Sequence, residues 1–147
     1  MDAVIPSLLE ALAPVPDPRH RRGCRYSVAT ILTFAVCAMV SGARSLYAIA
    51  QWGRDQGSVE IRGALGITRA TTPSVATLFR VFRDLDRDAF ERVLAEWARA
   101  QGAGSTGAVA LDGKHLRGIH GDAVPGVHLV AAFAHRDGQV LGQKGGC

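Results

Sequence analysis

A chain of 147 residues is long enough for one ordinary domain, or for one small domain and the start of another. Its 48% apolar and 20% charged residues match chains that bury a core, which excludes the disordered and collagen-like classes. Seventeen Lys and Arg against thirteen Asp and Glu give a net charge of +4, a balance that favours a polyanionic partner, and the excess is concentrated at Arg19, His20, Arg21, Arg22 and Arg25.

In chain order, Val4, Leu8, Leu9 and Leu12 predict a short helix over residues 4–13, which Pro14, Pro16 and Pro18 forbid from continuing. An extended basic linker follows. Ser27 caps a helix expected to run to about Ser41, with Gly42 at its C-terminal stop. Its apolar run, Val28 to Val40, rises only roughly 20 Å as a helix, against about 30 Å for a bilayer core, so a buried central helix is expected and no membrane span. Ser45 starts the next helix, with Leu46, Ile49, Ala50 and Gly53 on one face. A short helix at Ile61 to Leu65 breaks at Gly66, and Thr72-Pro73 offers a cap followed by proline at a first helical position. The helix from there carries Val75, Leu78, Phe79 and Phe82 at i, i+3, i+4 and i+7. Asp86 caps another with Phe90, Val93, Leu94 and Trp97 as its apolar stripe.

From Gly102 to Gly107 the composition turns to Gly, Ala, Ser and Thr, and beyond it the periodicity becomes strand-like. A domain boundary is expected there, between residues 1–104 and 105–147. Val109 and Leu111 alternate with Ala110 and Asp112, Val127 to Ala134 forms a second apolar run, and Val140 and Leu141 a third, joined to the second by a tight-turn Asp137-Gly138. The closing Gln143 to Cys147 reads as neither helix nor strand. Three strands in about 40 residues cannot bury both faces of a sheet, so part of the second domain is expected to be missing.

Cys24, Cys37 and Cys147 show no paired spacing, and the first fifteen residues lack a secretory pattern, so a cytoplasmic protein with free thiols is expected. Among His115, His120, His128 and His135, the odd separation of His128 and His135 along a strand argues against a dedicated metal site.

The sharpest local motif is Ala110-Leu111-Asp112-Gly113-Lys114-His115-Leu116-Arg117-Gly118. A carboxylate held at a strand end suits a metal ligand, and Lys114 and Arg117 could neutralise phosphates beside it. The same residues also suit a turn aspartate among solvated charges. Residues 61–65, the break after them and the helix from Pro73 have the outline of a helix-turn-helix offering Ser74, Thr77, Arg80 and Arg83 to a groove; a simple packed helical pair fits the pattern too. Arg19, Arg21, Arg22 and Arg25 need only a phosphate backbone to contact.

Leu8-Leu9-Glu10 through Asp17-Pro18-Arg19, Arg25-Tyr26-Ser27, Ser41-Gly42-Ala43-Arg44-Ser45 and Pro73-Ser74 with Phe79-Arg80 resemble the helical domain associated with DDE transposases. Leu111-Asp112-Gly113-Lys114 and Val127 to Phe133 look like the start of the catalytic domain. The group most similar is that of ISAs-type insertion-sequence transposases, which includes the H-repeat-associated proteins. The resemblance implies an α+β chain: an N-terminal all-helical domain, then the first three strands of an incomplete RNase H-like domain. It implies DNA at transposon ends as partner, with a homo-oligomer or a full-length transposase as further partners, and Mg2+ or Mn2+ as cofactor. It assigns Asp112 as the first of three acidic metal ligands. The second and third find no match, and His115 stands where the family has threonine, so a truncated protein without transposition activity of its own is expected. The alternatives are a DNA-binding regulator that blocks full-length transposase, and a gene remnant without function.

Overall fold

A computed structural model describes residues 7–101 with their side chains, and the backbone of residues 109–116, 127–134 and 139–146. Contacts divide the chain into two compact units, one spanning Pro6–Val93 and the other built on Leu94–Cys147.

The first unit is built from helices whose starts are written in serine. α1 (Leu8–Ala11) opens with a capping box, in which Ser7 accepts from Glu10 N and the Glu10 carboxylate accepts from Ser7 N at 2.8 Å. Ser27, Ser45, Ser58 and Ser74 cap α2 (Val28–Val40), α3 (Leu46–Gln56), α4 (Val59–Ala64) and α5 (Val75–Asp84), each accepting from a backbone N–H three residues on. Asp86 does the same for Ala89 at the start of α6 (Arg87–Ala100), at 3.0 Å. Two ends are closed by left-handed glycines. Gly42 (φ 107°) lets Ala43 N reach Ala38 O at 2.9 Å, and Gly66 (φ 74°) lets Ile67 N reach Arg62 O at 2.8 Å, which satisfies carbonyls the helices leave over.

The expected cap at Thr72 with Pro73 as first helical residue is displaced by two positions: Ser74 is the cap, and Pro73 lies fully buried ahead of it. A side chain able to accept from Thr77 N decides the start, and Ser74 has it.

α2 is the axis of the unit. Val28, Ala29, Ile31, Leu32, Phe34, Ala35 and Ala38 are buried, joined by Leu12 and Val15 ahead of it and by Ile49, Ala50, Leu65, Ile67, Leu78 and Val81 behind. Each fully buried Leu, Ile or Phe contributes about 1.5–3 kcal/mol of transfer free energy, so this one cluster dominates the stability of the unit. α2 packs on α1 and α3, and α3 packs on α5. At the α2–α3 contact the Phe34 ring meets Trp52 edge-on, with centroids 5.5 Å apart.

On α5 the buried stripe keeps Val75, Leu78 and Phe82 of the one expected and takes Val81 in place of Phe79. Leu78 and Val81 are fully buried and Phe82 and Leu85 pack against the core, whereas Phe79 is 53% exposed, with the Arg83 guanidinium 5.8 Å from its ring centroid. Both stripes obey the helical period, and contact with α3 selects one.

The second unit carries three extended segments, β1 (Val109–Leu116), β2 (Val127–Ala134) and β3 (Gln139–Gly146), in the order β1-β2-β3, both pairs antiparallel. β3 continues through Gln143 to Gly146, where the sequence reading had ended it. Ala132 pairs with Gly142 and Phe133 with Val140, which leaves Leu141 as the extra residue of a bulge.

The expected α+β fold with the opening strands of an RNase H-like domain is corrected. Residues 7–101, where packing is described, are helical with no strand among them, and an RNase H-like domain is not seen. Such a domain is defined by helices layered on a sheet, and among the described residues no helix follows Ala100. Short alternating runs such as Val109 to Asp112 specify extended backbone locally and carry no information about what layers on it.

Candidate nucleic-acid interface

The basic loop between α1 and α2 is held in place by its own side chains. Arg19 is fixed twice: Nε and Nη2 donate to the Asp17 carboxylate at 2.9 and 2.8 Å, and Nη2 also donates to Tyr26 O at 2.7 Å. Its side chain is only 14% exposed. The guanidinium, by its hydrogen bonds and charge, holds the Asp17 carboxyl below its ordinary value, and Asp17 in turn raises that of Arg19. Gly23 turns the loop at φ 80°. At the far end the Tyr26 hydroxyl donates to Thr71 O at 2.8 Å and lies 3.1 Å from Thr71 Oγ1.

This fastening sets the loop opposite the start of α5 and leaves a groove of 890 Å3 between them. Arg19, His20, Arg22, Gly23, Cys24, Arg25 and Tyr26 line one side. Thr71, Thr72, Ser74, Thr77 and Arg80 line the other, with Gly53, Arg54 and Gly57 of the α3 end between them. Five arginines thus face one groove, and among the described residues its lining holds no carboxylate. Arg54 is braced by Gln51 Oε1 at 2.6 Å and lies 5.8 Å from the Tyr47 ring centroid. Arg22, Arg25 and Arg80 have no hydrogen-bond or ion-pair partner among the described residues. Three uncompensated guanidiniums with hydroxyls between them are suited to bind phosphate oxygens.

Of the residues singled out in the sequence, Arg19, Arg22, Arg25 and Arg80 are brought together here. Arg21 is exposed outside the lining, and Arg83 is occupied elsewhere, donating from Nη2 to Asp84 at 2.7 Å. Arg54 was missed; nothing in its local sequence separates it from a solvated helix charge, and only the packing of α3 against α5 brings it in. The helix-turn-helix outline is not what the structure builds around α5. Ten residues separate α4 from α5, where a turn of about 3–4 is characteristic, and α5 packs on α3.

Asp112 and Lys114 lie on β1, in register with Ala131 and Leu129 of β2, and Gln143 pairs next to Ala131 on β3. Asp112 is the sole carboxylate within the three strands. A pair of divalent ions needs several carboxylates to bridge and flank it, so the strands as described do not compose such a centre. Arg117, Asp137-Gly138, His120 and His135 lie outside the described residues.

The family model described as DDE_Tnp_1-associated matches residues 9–98, a span that holds α2 to α5, most of α1 and α6 and the whole groove. The chain belongs to the DDE_Tnp_1-associated family. Among its relatives, "Putative transposase YncI" of Escherichia coli O157:H7 and of strain K12 are each 32% identical over 142 residues, covering 95% of this chain. "H repeat-associated putative transposase YhhI" of strain K12 is 24% identical over 139 residues. The chain spans 36% of the first YncI, 56% of the second and 36% of YhhI. No solved structure matches it significantly. These matches support a transposase-related function for the DDE_Tnp_1-associated helical unit. No described helix is long and apolar enough to cross a membrane.

Proposed function

We propose that the helical unit binds DNA through the groove between the basic loop and α5, as the end-binding part of a transposition system acting in the cytoplasm. The observation that supports this reading is the meeting of Arg22, Arg25 and Arg80, all without partners among the described residues, in a groove whose described lining holds no carboxylate. Among the described residues no Phe or Trp lines the groove, Tyr26 is partly buried with its hydroxyl engaged, and a lone exposed imidazole, His20, falls short of a row of rings for successive bases. The contact is therefore to backbone phosphates and not to stacked bases.

The test is binding of a short duplex across a salt series. With three free arginines each replacing about one counterion, the logarithm of affinity falls with that of salt with a slope of roughly −3 or steeper. Replacing Arg22, Arg25 or Arg80 by Ala weakens binding of all sequences alike and makes the slope shallower by about one each. Unchanged affinity in all three variants sinks the reading. Asp112 enters the same proposal as one carboxylate of a Mg2+ or Mn2+ centre whose other ligands are supplied from outside the three strands. Salt-sensitive binding that leaves the duplex intact with either metal supports the non-catalytic, DNA-binding version; cleavage that survives Asp112→Ala removes that residue from the chemistry.

A further inference from the structure

We propose that Asp17, Arg19, Tyr26 and Thr71 form a latch that holds the basic loop open toward α5, so that Arg19 is a positioning residue for the phosphate contacts made by Arg22 and Arg25. The inference rests on the DNA-binding reading of the groove and assigns a role within it.

Arg19 is the arginine of the cluster with the least to offer a ligand. Three of its five N–H bonds are spent, one from Nε and both from Nη2, on Asp17 and on Tyr26 O. The Asp17 carboxylate is itself tied to the loop backbone, accepting from Arg19 N at 3.0 Å. Tyr26 carries the fastening onward, because its carbonyl takes Arg19 while its hydroxyl reaches Thr71, 45 residues along the chain. The loop between Pro18 and Ser27 has no helical or strand hydrogen bonds to hold it; Cys24 Sγ donates to His20 O at 3.0 Å within it, and the latch contacts are what tie it to the rest of the unit. A loop ordered before it meets its ligand spares the complex the entropy of ordering it.

The latch makes a prediction opposite in sign to simple electrostatics. Removing the charge of Asp17 makes the groove more positive, which by Coulomb attraction alone tightens DNA binding. If Asp17 works by holding Arg19, its loss loosens Arg22 and Arg25 and weakens binding.

Fluorescence anisotropy of a labelled 20-base-pair duplex, with the full chain and its Asp17→Asn and Tyr26→Phe variants over a salt series, reads this out. Both variants are expected to bind roughly three- to tenfold more weakly, the equivalent of one hydrogen bond, with a shallower salt slope. A variant that is merely less folded lowers the bound fraction and leaves the slope unchanged. Asp17→Asn keeps one acceptor oxygen and loses the second and the charge, whereas Asp17→Glu, which keeps both carboxylate oxygens, is expected to recover part of the loss. Binding by Asp17→Asn as tight as or tighter than that of the parent overturns the latch, as does an unchanged Tyr26→Phe. Backbone order of residues 19–26, read by 15N NMR relaxation, is the companion measurement and does not depend on DNA: lower order in both variants supports the latch, and unchanged order overturns it. If the parent chain binds no DNA at low salt while the relaxation result stands, the DNA-binding reading fails and the latch does not.

Discussion

Two residues set the limits of the groove from opposite sides. Gly53 lies at its floor and also against the core: a Cβ there would stand 2.5 Å from Phe34 Cζ and 2.7 Å from Thr72 Oγ1. Phe34 is fully buried and edge-on to Trp52, so it has no room to withdraw. Gly53→Ala is expected to destabilise the helical unit by about 1–3 kcal/mol, read as a lower midpoint in urea unfolding. An unchanged midpoint would show that Phe34 can move. Asp17 acts at the other side. Its carboxyl lies below the ordinary value because of Arg19, so the stability it contributes is complete above the ordinary carboxylate range and is lost as the pH falls through the lowered value. The loop is therefore fully fastened at neutral pH. Sequence alone could single out the arginines by their density, but it could not separate Arg19 from Arg22, because which guanidinium is already occupied depends on Tyr26 and Asp17 folding back onto it.

Among the elements, α5 separates what periodicity can say from what packing decides. Val75, Leu78 and Phe82 pack against the core as their spacing requires, but the same spacing admits both Phe79 and Val81 beside them, and only packing against α3 chooses between those two. Leu78→Ala is expected to cost about 2–5 kcal/mol by leaving a cavity, whereas Phe79→Ala, at an exposed site, stays within roughly 0.5 kcal/mol. Equal losses in thermal or urea unfolding would return Phe79 to the core. The caps were the most legible features. Ser27, Ser45 and Asp86 start α2, α3 and α6 as their sequence positions require, since a cap is a contact across three residues and needs no tertiary structure. The start of α5 was misplaced because Thr72-Pro73 and Ser74 compete as local signals, and the burial of Pro73 settles the matter from outside the helix.

At the scale of the molecule, the core and the groove both lie within Pro6–Val93, and residues 9–98 carry the family match. A fragment of residues 1–104 is accordingly expected to unfold cooperatively and to bind duplex DNA with the affinity of the whole chain. Circular dichroism and the anisotropy assay check the two parts separately, and a tenfold weaker fragment would place a DNA contact beyond residue 104. The helical architecture was readable because apolar spacing, caps and stops agree along residues 27–100. The RNase H-like expectation came from resemblance around Asp112 and was not met, because three short apolar runs fix backbone extension without fixing what packs on it.

The Tyr26–Thr71 bond joins walls that lie 45 residues apart, with α2, α3 and α4 between them. A contact of such long sequence separation exists only when the intervening chain has been gathered in, so the groove requires the helical unit to be folded. The unfolded chain already has every arginine and the same net charge, yet lacks the cleft. Generic attraction to a polyanion therefore belongs to the composition, and the arrangement of cations that could distinguish one phosphate geometry from another belongs to the native state alone.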